Sequence, residues 1–505
     1  RFIIDGREFV IRHGHPDWPE EWFHIIDGGI VDGPSGADST SLSYRLRPKE
    51  WAQNRPIQEN LISSGPNENA VQPITLGQCF NISPVLVDAA NRIYQWHDPT
   101  FGAATAVDAV RDGGLDLQTP GRLFSGSDAG ANTLTTTEPH GFIAGTRVRF
   151  SASASIPGPL QLNTDYWVIA DGLTADTFKL STTWGGSEID ITGIGIATNA
   201  VATGYHWTAD LSAGTVRLAV APEFDVTMDV RGYLSRVSQI LPMVLQAENV
   251  DPASVAALDA AGWTGLPGNI GLYIKERANR LDLADKIANG LRLWYGYTRD
   301  GMFRMGRIFQ FDTTDYYHKA LLKLTTDDFI QDSLSIDEFL PLRYAHRMRY
   351  QRNWTPGQKL ASGVSDEARA LYTEPGPIAI AATPTVQGQH RLATQPDVIE
   401  SLYYPSAASL CEDMDGQPGS APSWSIIGSV ELKRIGYLLD VGDKFFLPWT
   451  RWFSTANDPL LGIYGFPGYP CNVIDVEYRP HHGADQGAVR IRFLSYIGDN
   501  VPEAL

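Results

Sequence analysis

Gly77-Gln78-Cys79-Phe80-Asn81-Ile82-Ser83-Pro84-Val85-Leu86-Val87-Asp88, followed by Arg92-Ile93-Tyr94-Gln95-Trp96, is the stretch on which the fold turns. Val85–Val87 and Ile93–Trp96 are short apolar runs rich in β-branched and aromatic residues, which suit a pleated, half-buried surface. Ala106-Val107-Asp108-Ala109-Val110 adds a strand, and Asp112-Gly113-Gly114 turns the chain. The pattern then stops. It resumes at Gly214-Thr215-Val216-Arg217-Leu218 and Val226-Thr227-Met228-Asp229-Val230. The interval, residues 132–206, has its own rhythm: Arg147-Val148-Arg149-Phe150, Tyr166-Trp167-Val168-Ile169 and Thr177-Phe178-Lys179-Leu180, separated by Gly, Pro and Asp turns. It reads as a small β module inserted into a first barrel. Such insertions are tolerated because loop closure becomes costlier only slowly with length.

Working outward, Asp5-Gly6 lies between the apolar runs Phe2-Ile3-Ile4 and Phe9-Val10-Ile11, a hairpin signal. Residues 27–40 and 53–72 read as exposed loops, so residues 1–73 are expected to be extended arms with a hairpin. Helices are few. Asp251-Pro252 is a good start, with Gly262 as the stop. A longer helix is expected over 276–294, where Ala284, Ile287, Ala288, Leu291 and Trp294 share a face. Arg299-Asp300-Gly301 turns a hairpin, and residues 366–372 and 396–400 are candidate short helices. Strands return at 441–446, 472–478 and 489–494. The expected fold class is mainly β with a few helices (α+β), multidomain. The divisions are 1–73; a first β-barrel domain from 74–131 plus 207–240; the inserted module 132–206; a helix-containing α/β domain 241–350; a connecting domain 351–430; and C-terminal strands 431–505 completing a second barrel.

The chain has 505 residues, beyond the roughly 250–300 at which single cores stop growing. Its 43% hydrophobic content can fill real cores, and 48 Gly, 32 Pro and 13 Trp favour strands joined by many turns. A formal net charge of −18 repels phosphate, which argues against a general nucleic-acid-binding role. Cys79, Cys411 and Cys471 are too sparse for a disulfide framework or a zinc site, which suits assembly in a reducing cytoplasm. No run of about 18 apolar residues exists, so no membrane span is expected. The chain opens on Arg1 rather than Met, so its natural N-terminus is expected to be removed, cut away or disordered, and no secretory apolar stretch precedes Ile11.

Four local patterns together resemble the tail-tip hub proteins of tailed bacteriophages. The first is the opening stretch, 77–88 with Ile93-Tyr94-Gln95. The second is Leu293-Trp294-Tyr295-Gly296-Tyr297 with Arg299-Asp300-Gly301 and Arg304-Met305-Gly306-Arg307. The third is Arg349-Tyr350-Gln351-Arg352-Asn353-Trp354-Thr355. The fourth is Gly442-Asp443 with an aromatic strand, Arg451-Trp452-Phe453 and a closing strand pair ending at Leu494. Their order matches the family over about residues 74–495. The insert is similar to a β module of phage structural proteins through Pro139-His140-Gly141-Phe142 and Asp176-Thr177-Phe178-Lys179-Leu180. The resemblance implies a homotrimeric central hub of a phage tail tip or baseplate, carrying two tail-tube-like β-barrels per chain. Such a hub adapts the six-fold tube to a three-fold tip. It implies a virion location, with a distal tail protein ring, the tape-measure protein and tail fibre or other tip proteins as partners. DNA would be met only in transit through the channel.

Chemical constellations were sought beside this. His13-Gly14-His15 lacks an evident third metal ligand, and an exposed turn is favoured. His481-His482 reads as a solvated hairpin loop. Asp413, Asp415 and Gly416 echo part of a calcium loop without its ligand run or terminal Glu. Trp294, Tyr295 and Tyr297 are sugar-platform candidates, with core packing favoured. Arg343, Arg347, Arg349 and Arg352 with Tyr350 form the one basic stretch, favoured as a strand face paired with acids. No Gly-x-Ser-x-Gly elbow, His-Glu-x-x-His or phosphate loop is present. The expectation is a non-enzyme with no catalytic, cofactor or metal residues. The alternatives are a receptor-binding tail adhesin, a hexameric distal tail protein and, less favoured, a tail-associated cell-wall hydrolase.

Overall fold

The computed structural model describes residues 6–37, 41–119, 121–151, 156–192, 201–259, 270–291, 293–307, 322–340, 344–382, 388, 397–404, 424–448, 469–478 and 489–497. These residues are mainly β, with α-helices in a minority: the α+β class.

The strand Ile74–Ile82 is the axis of the first unit. It pairs antiparallel with Gly271–Ile274 on one side and Val226–Arg231 on the other, and Ala106–Asp112 and Leu115–Asp116 complete a five-stranded sheet. Nearly every residue of this strand is buried, because both faces of the sheet are covered. On one face Cys79, Ile82, Met228, Val230 and Tyr273 meet Trp96, Trp207, Val216 and Leu218 of a four-stranded sheet. On the other, Ile74, Leu76, Leu272 and Ile274 meet helices α1 (Val237–Leu245) and α3 (Arg280–Leu291), with α2 (Pro252–Asp259) beside them. The strand shows no alternation of buried and exposed residues, and its buried polar side chains are hydrogen-bonded, Thr75 to the Trp96 carbonyl and Asn81 to Asn353. Gly77 is required here. Its φ is +67°, and a Cβ would lie 1.7 Å from the Ile270 carbonyl oxygen.

Helix α1 ends with Gln246 in the left-handed conformation. Arg280, almost fully buried, donates from Nη1 to the Val244 carbonyl at 2.8 Å and so satisfies an orphan acceptor of that last turn. The helix expected over 276–294 stops at Leu291, and Leu293–Tyr297 is a strand paired with Phe303–Arg307. The aromatic, Gly-containing Leu-Trp-Tyr-Gly-Tyr run gains a full ladder in the hairpin that a helix could not better. Asp251 accepts from the Ala253 N–H at the start of α2, as the Asp-Pro signal implied. Residues 366–372 are helical as read, in α4 (Asp366–Thr373), with Ser365 accepting from Ala368 N–H. The short helix expected at 396–400 is not formed where described: Ile399–Glu400 is a strand parallel to Ala345–Arg349.

In the N-terminal arm, Glu8–His13, His24–Ala37 and Leu42–Arg47 form a three-stranded sheet. The loop expected at 27–40 is thus largely a 14-residue central strand. Two of its glycines mark close approach: a Cβ on Gly29 would lie 2.1 Å from the Arg47 carbonyl oxygen and one on Gly28 3.0 Å from the Arg299 carbonyl oxygen. Residues 1–5 lie outside the described residues. Glu8–His13 joins its partner through residues 14–23, so the Asp5-Gly6 turn is not the link between them.

Strands between Arg122 and Tyr205 form a separate seven-stranded sheet around Leu134, Val148, Phe150, Val168, Phe178 and Leu180. Its two edge strands, Thr177–Phe178 and Leu180–Ser181, are adjacent in sequence, so the sheet curls around its core. A six-stranded sheet takes Leu322–Lys323 and Ser335–Phe339 together with Trp424–Leu432, Lys444–Leu447, Tyr469–Tyr478 and Val489–Ile497, packed on Phe445, Phe493 and Leu324. The pairings among the described residues give open sheets rather than the two closed barrels that the resemblance implies.

Two predictions follow from this arrangement. The segment carrying the seven-stranded sheet leaves and re-enters at neighbouring points, since Thr119 N–H donates to Gly204 O at 2.8 Å and Gln118 bridges Tyr205. Replacing residues 121–204 by a short turn is expected to leave a soluble product whose far-ultraviolet spectrum has lost the excised sheet's share of the β signal and whose melt stays cooperative. Separately, burial lowers the pKa values of His97, His140 and His206 below the ordinary histidine range. The unfolded chain therefore binds these protons more readily. Their contribution is full above about pH 6.5 and lost as the pH falls toward the folded-state values. Melting temperature is expected to drop between pH 7 and pH 5, and to drop less in His97→Gln.

Candidate functional site

The four sequence patterns meet in two pairs. In the first, Asn81, at φ +52°, donates from Nδ2 to Asn353 Oδ1 at 2.9 Å. Asn353 Oδ1 also accepts from Thr355 N–H, and Asn353 Nδ2 donates to the carbonyls of Tyr372 at 2.8 Å and Glu374 at 2.9 Å. Phe80 stacks on Tyr372 with centroids 6.0 Å apart, and the Arg111 guanidinium lies 5.7 and 5.0 Å from those two rings. Arg111 pairs with Asp229 through both guanidinium nitrogens and with Asp116 at 3.1 Å; Asp229 also accepts from Asn81 N–H at 2.9 Å. Burial raises the Tyr372 pKa, with Arg111 opposing it.

In the second pair the Trp294 ring covers Gly442, where a Cβ would lie 2.1 Å from ring carbons at φ +86°. Arg304 reaches Asp443 at 2.9 Å and Asp251 at 3.6 Å, while Arg299 reaches Asp440 at 3.3 Å. Tyr295 donates to Asp285 at 2.7 Å. Tyr297 N–H donates to Glu50 at 2.8 Å. Burial, helped by Glu50, pushes the Tyr297 phenol up to about 12; burial also raises the Glu50 pKa against its two backbone donors. Trp294, Tyr295 and Tyr297 are half-buried on a strand, in contacts that fix the hairpin rather than forming a free platform.

Beside this second junction lies a cavity of about 1320 Å³. Four separate segments build it: the N-terminal arm (His13, His15, Trp18, Phe23), Asp251, the hairpin tip (Arg299, Asp300, Met302, Arg304) and the segment holding Arg434, Tyr437, Leu438 and Asp440. His13 stacks on Tyr437 at 6.1 Å and an interplanar angle of 17°, and His15 sits 3.4 Å from Asp17. No group of three or more potential metal ligands exists among the described residues, so His13 and His15 do not gain a third ligand there.

Of the basic stretch, Arg349 pairs with Glu400 at 3.0 Å, Arg352 lies over Trp354 at 4.8 Å, and Arg347 and Tyr350 are half-buried beside them. Arg343, Asp413, Asp415, Gly416, His481, His482, Cys411 and Arg451–Phe453 lie outside the described residues. Cys79 and Cys471 are buried, and burial pushes both thiols up, the wrong direction for a nucleophile. Sequence reasoning missed Arg111 and Asp229. The sequence held no distinct signal for them, because Ala106–Asp112 also carries Asp108 and Asp112 and Val226–Arg231 also carries Arg231, and only burial separates Arg111 and Asp229 from the exposed Asp108 and Arg231. The cavity had no local signal, because its walls come from distant segments. No helix among the described residues is long and apolar enough to cross a membrane.

No family model and no curated protein matches the chain. Among solved structures it is similar to prophage tail protein gp18 from Listeria monocytogenes EGD-e, at 11% identity and a TM-score of 0.27, over 75% of this chain and 94% of that one. At that score the likeness carries no argument.

Asn353→Ala would leave Asn81 Nδ2 its longer 3.4 Å bond to the Thr355 carbonyl and would remove the bonds to Thr355 N–H and to the Leu371, Tyr372 and Glu374 carbonyls. A loss of roughly 2–4 kcal/mol in unfolding free energy is expected, the range for removing a buried multi-bonded amide. Gly442→Ala is expected to lower stability by roughly 1–3 kcal/mol through overpacking against Trp294 and its positive φ. Gly185→Ala, where a Cβ meets nothing within 4 Å, serves as the comparison for φ alone. Chemical denaturation of the three variants checks all of this.

Proposed function

We propose that the chain is a structural subunit of a tailed-phage tail, the central hub of its tip, and not an enzyme. One observation supports the reading above others. The four patterns that resemble the hub family, in family order, fall at two junctions between segments distant in the chain, and their polar groups are engaged in holding those junctions. Side chains spent in this way transmit load and fix orientation; they offer no nucleophile–base pair. On this reading the paired sheets around Trp96 and the six-stranded sheet around Phe493 are the two tail-tube-like units. Three chains would then present six such units to a distal tail ring. The tape-measure protein and tail fibre or other tip proteins are its further partners, and DNA passes through the centre.

The chain's negative charge fits that passage, since an acidic lumen repels phosphate over a Debye length of about 8 Å at physiological salt. Three copies per particle around a three-fold axis are expected, read by electron cryomicroscopy of the tail tip, with Asp and Glu exceeding Lys and Arg on the lumen wall. Six copies would move the reading to a distal tail ring. A net positive lumen would overturn the account of DNA passage.

A further inference from the structure

We propose that the cavity between the N-terminal arm, the 298–304 hairpin tip and residues 434–440 is a binding site for a neutral oligosaccharide. This inference is independent of the hub reading.

Size comes first. At about 1320 Å³ the recess exceeds the roughly 300–1,000 Å³ of ordinary small-molecule sites, so it accommodates several linked rings. Charge comes second. Arg299, Arg304 and Arg434 are matched by Asp251, Asp300 and Asp440, and Arg299–Asp440 and Arg304–Asp251 are mutual pairs. A strongly anionic or cationic ligand would therefore gain little net attraction. A wholly apolar ligand would bury charged groups without giving them partners. The ligand must present hydroxyls and apolar faces together, without formal charge.

The walls fit that description. Trp18 is 46% exposed, although it lines the recess. The His13 ring of the arm stacks on the Tyr437 ring of the 434–440 segment, and Phe23 also lines the recess. Aromatic faces hold the C–H faces of sugar rings, while planar carboxylate and guanidinium groups take paired hydroxyls. A protein segment is the competing occupant, since Met302 and Leu438 on the rim are exposed. Charged groups, carboxylates above all, are depleted from the cores of protein interfaces. Here Asp251, Asp440 and their arginines line the recess itself, which favours the saccharide.

The test titrates the purified full chain with chitotetraose and with maltotetraose, reading tryptophan fluorescence and calorimetric heat. Saturable binding of at least one probe in the millimolar range or tighter is expected. Trp18→Ala should weaken it about tenfold, the equivalent of about 1.4 kcal/mol, and Tyr437→Ala similarly. Trp18 is too exposed for its truncation to unfold the chain, and an unchanged melting temperature confirms that. Binding that survives Trp18→Ala unchanged would place the sugar elsewhere and overturn the assignment. So would the absence of any response to either probe. Concentration-dependent self-association that Trp18→Ala abolishes, with no sugar response, would make the recess an interface between copies instead.

Discussion

The strand Ile74–Ile82 must be approached closely from two sides, and the positions of the other elements depend on how that approach is achieved. Three glycines make room. A Cβ on Gly77 would lie 1.7 Å from Ile270 O, one on Gly271 1.8 Å from Gln78 O, and one on Gly232 2.0 Å from Thr75 O. With no side chain at those points, the backbone of the strand bonds to Gly271–Ile274 along one edge and to Val226–Arg231 along the other. Its side chains are then free to fill two separate cores. Ile74 and Leu76 enter the helical core, while Cys79 and Ile82 enter the core around Trp96. One strand thereby fixes the helices relative to the paired sheets. At its far end Phe80 and Asn81 carry the constraint onward to Asn353 and Tyr372.

That continuation explains why polar residues are buried at the junction. An apolar contact between Phe80 and Tyr372 alone would tolerate sliding. The amide of Asn353 does not, because its donors and acceptor must find the Tyr372 and Glu374 carbonyls, Asn81 and Thr355 N–H together. Leaving any of those groups unmade in a buried site costs more than making it gains. The junction therefore has one low-energy geometry. The salt links from Arg299 and Arg304 to Asp440, Asp443 and Asp251 act likewise at the second junction. They are partly exposed, so orientation is a larger part of their contribution than stability.

How much of this was legible depends on whether the signal was local. The strands 85–88, 93–95, 106–112, 215–218 and 226–231 follow from apolar and β-branched runs between turn residues, and α2 follows from Asp251 as its cap; α4 was legible as a short helix over 366–372, its Ser365 cap only in the structure. Helix α1 was not read, because Val-Ser-Gln-Ile-Leu-Pro-Met-Val-Leu carries an internal Pro242 and no capping side chain. The boundary between α3 and the following strand was misplaced because Trp294 continues the helical spacing of Leu291, and only pairing with Phe303–Arg307 decides otherwise. The Gly-rich strand 24–37 reads as a loop for a similar reason: a glycine placed for a close backbone neighbour and one placed for a turn look alike in sequence. The cavity was invisible because no two of its four walls are neighbours in the chain.

The N-terminal arm contrasts with the satisfied junctions. Glu8–His13 is exposed along almost its whole length, and Val10, Ile11, Trp18, Trp22, Leu46 and Trp51 all leave large apolar surface in water. Scattered single apolar residues on a surface need no explanation, but this group is concentrated in one arm and includes Trp18 at the edge of the cavity. Glu8–His13 and Leu42–Arg47 are also the two edges of a three-stranded sheet, with backbone groups open to pairing. Rigid junctions inside and an apolar, edge-bearing arm outside divide the labour within one chain. The junctions fix distant segments against one another, and the arm presents apolar side chains and two strand edges outside them.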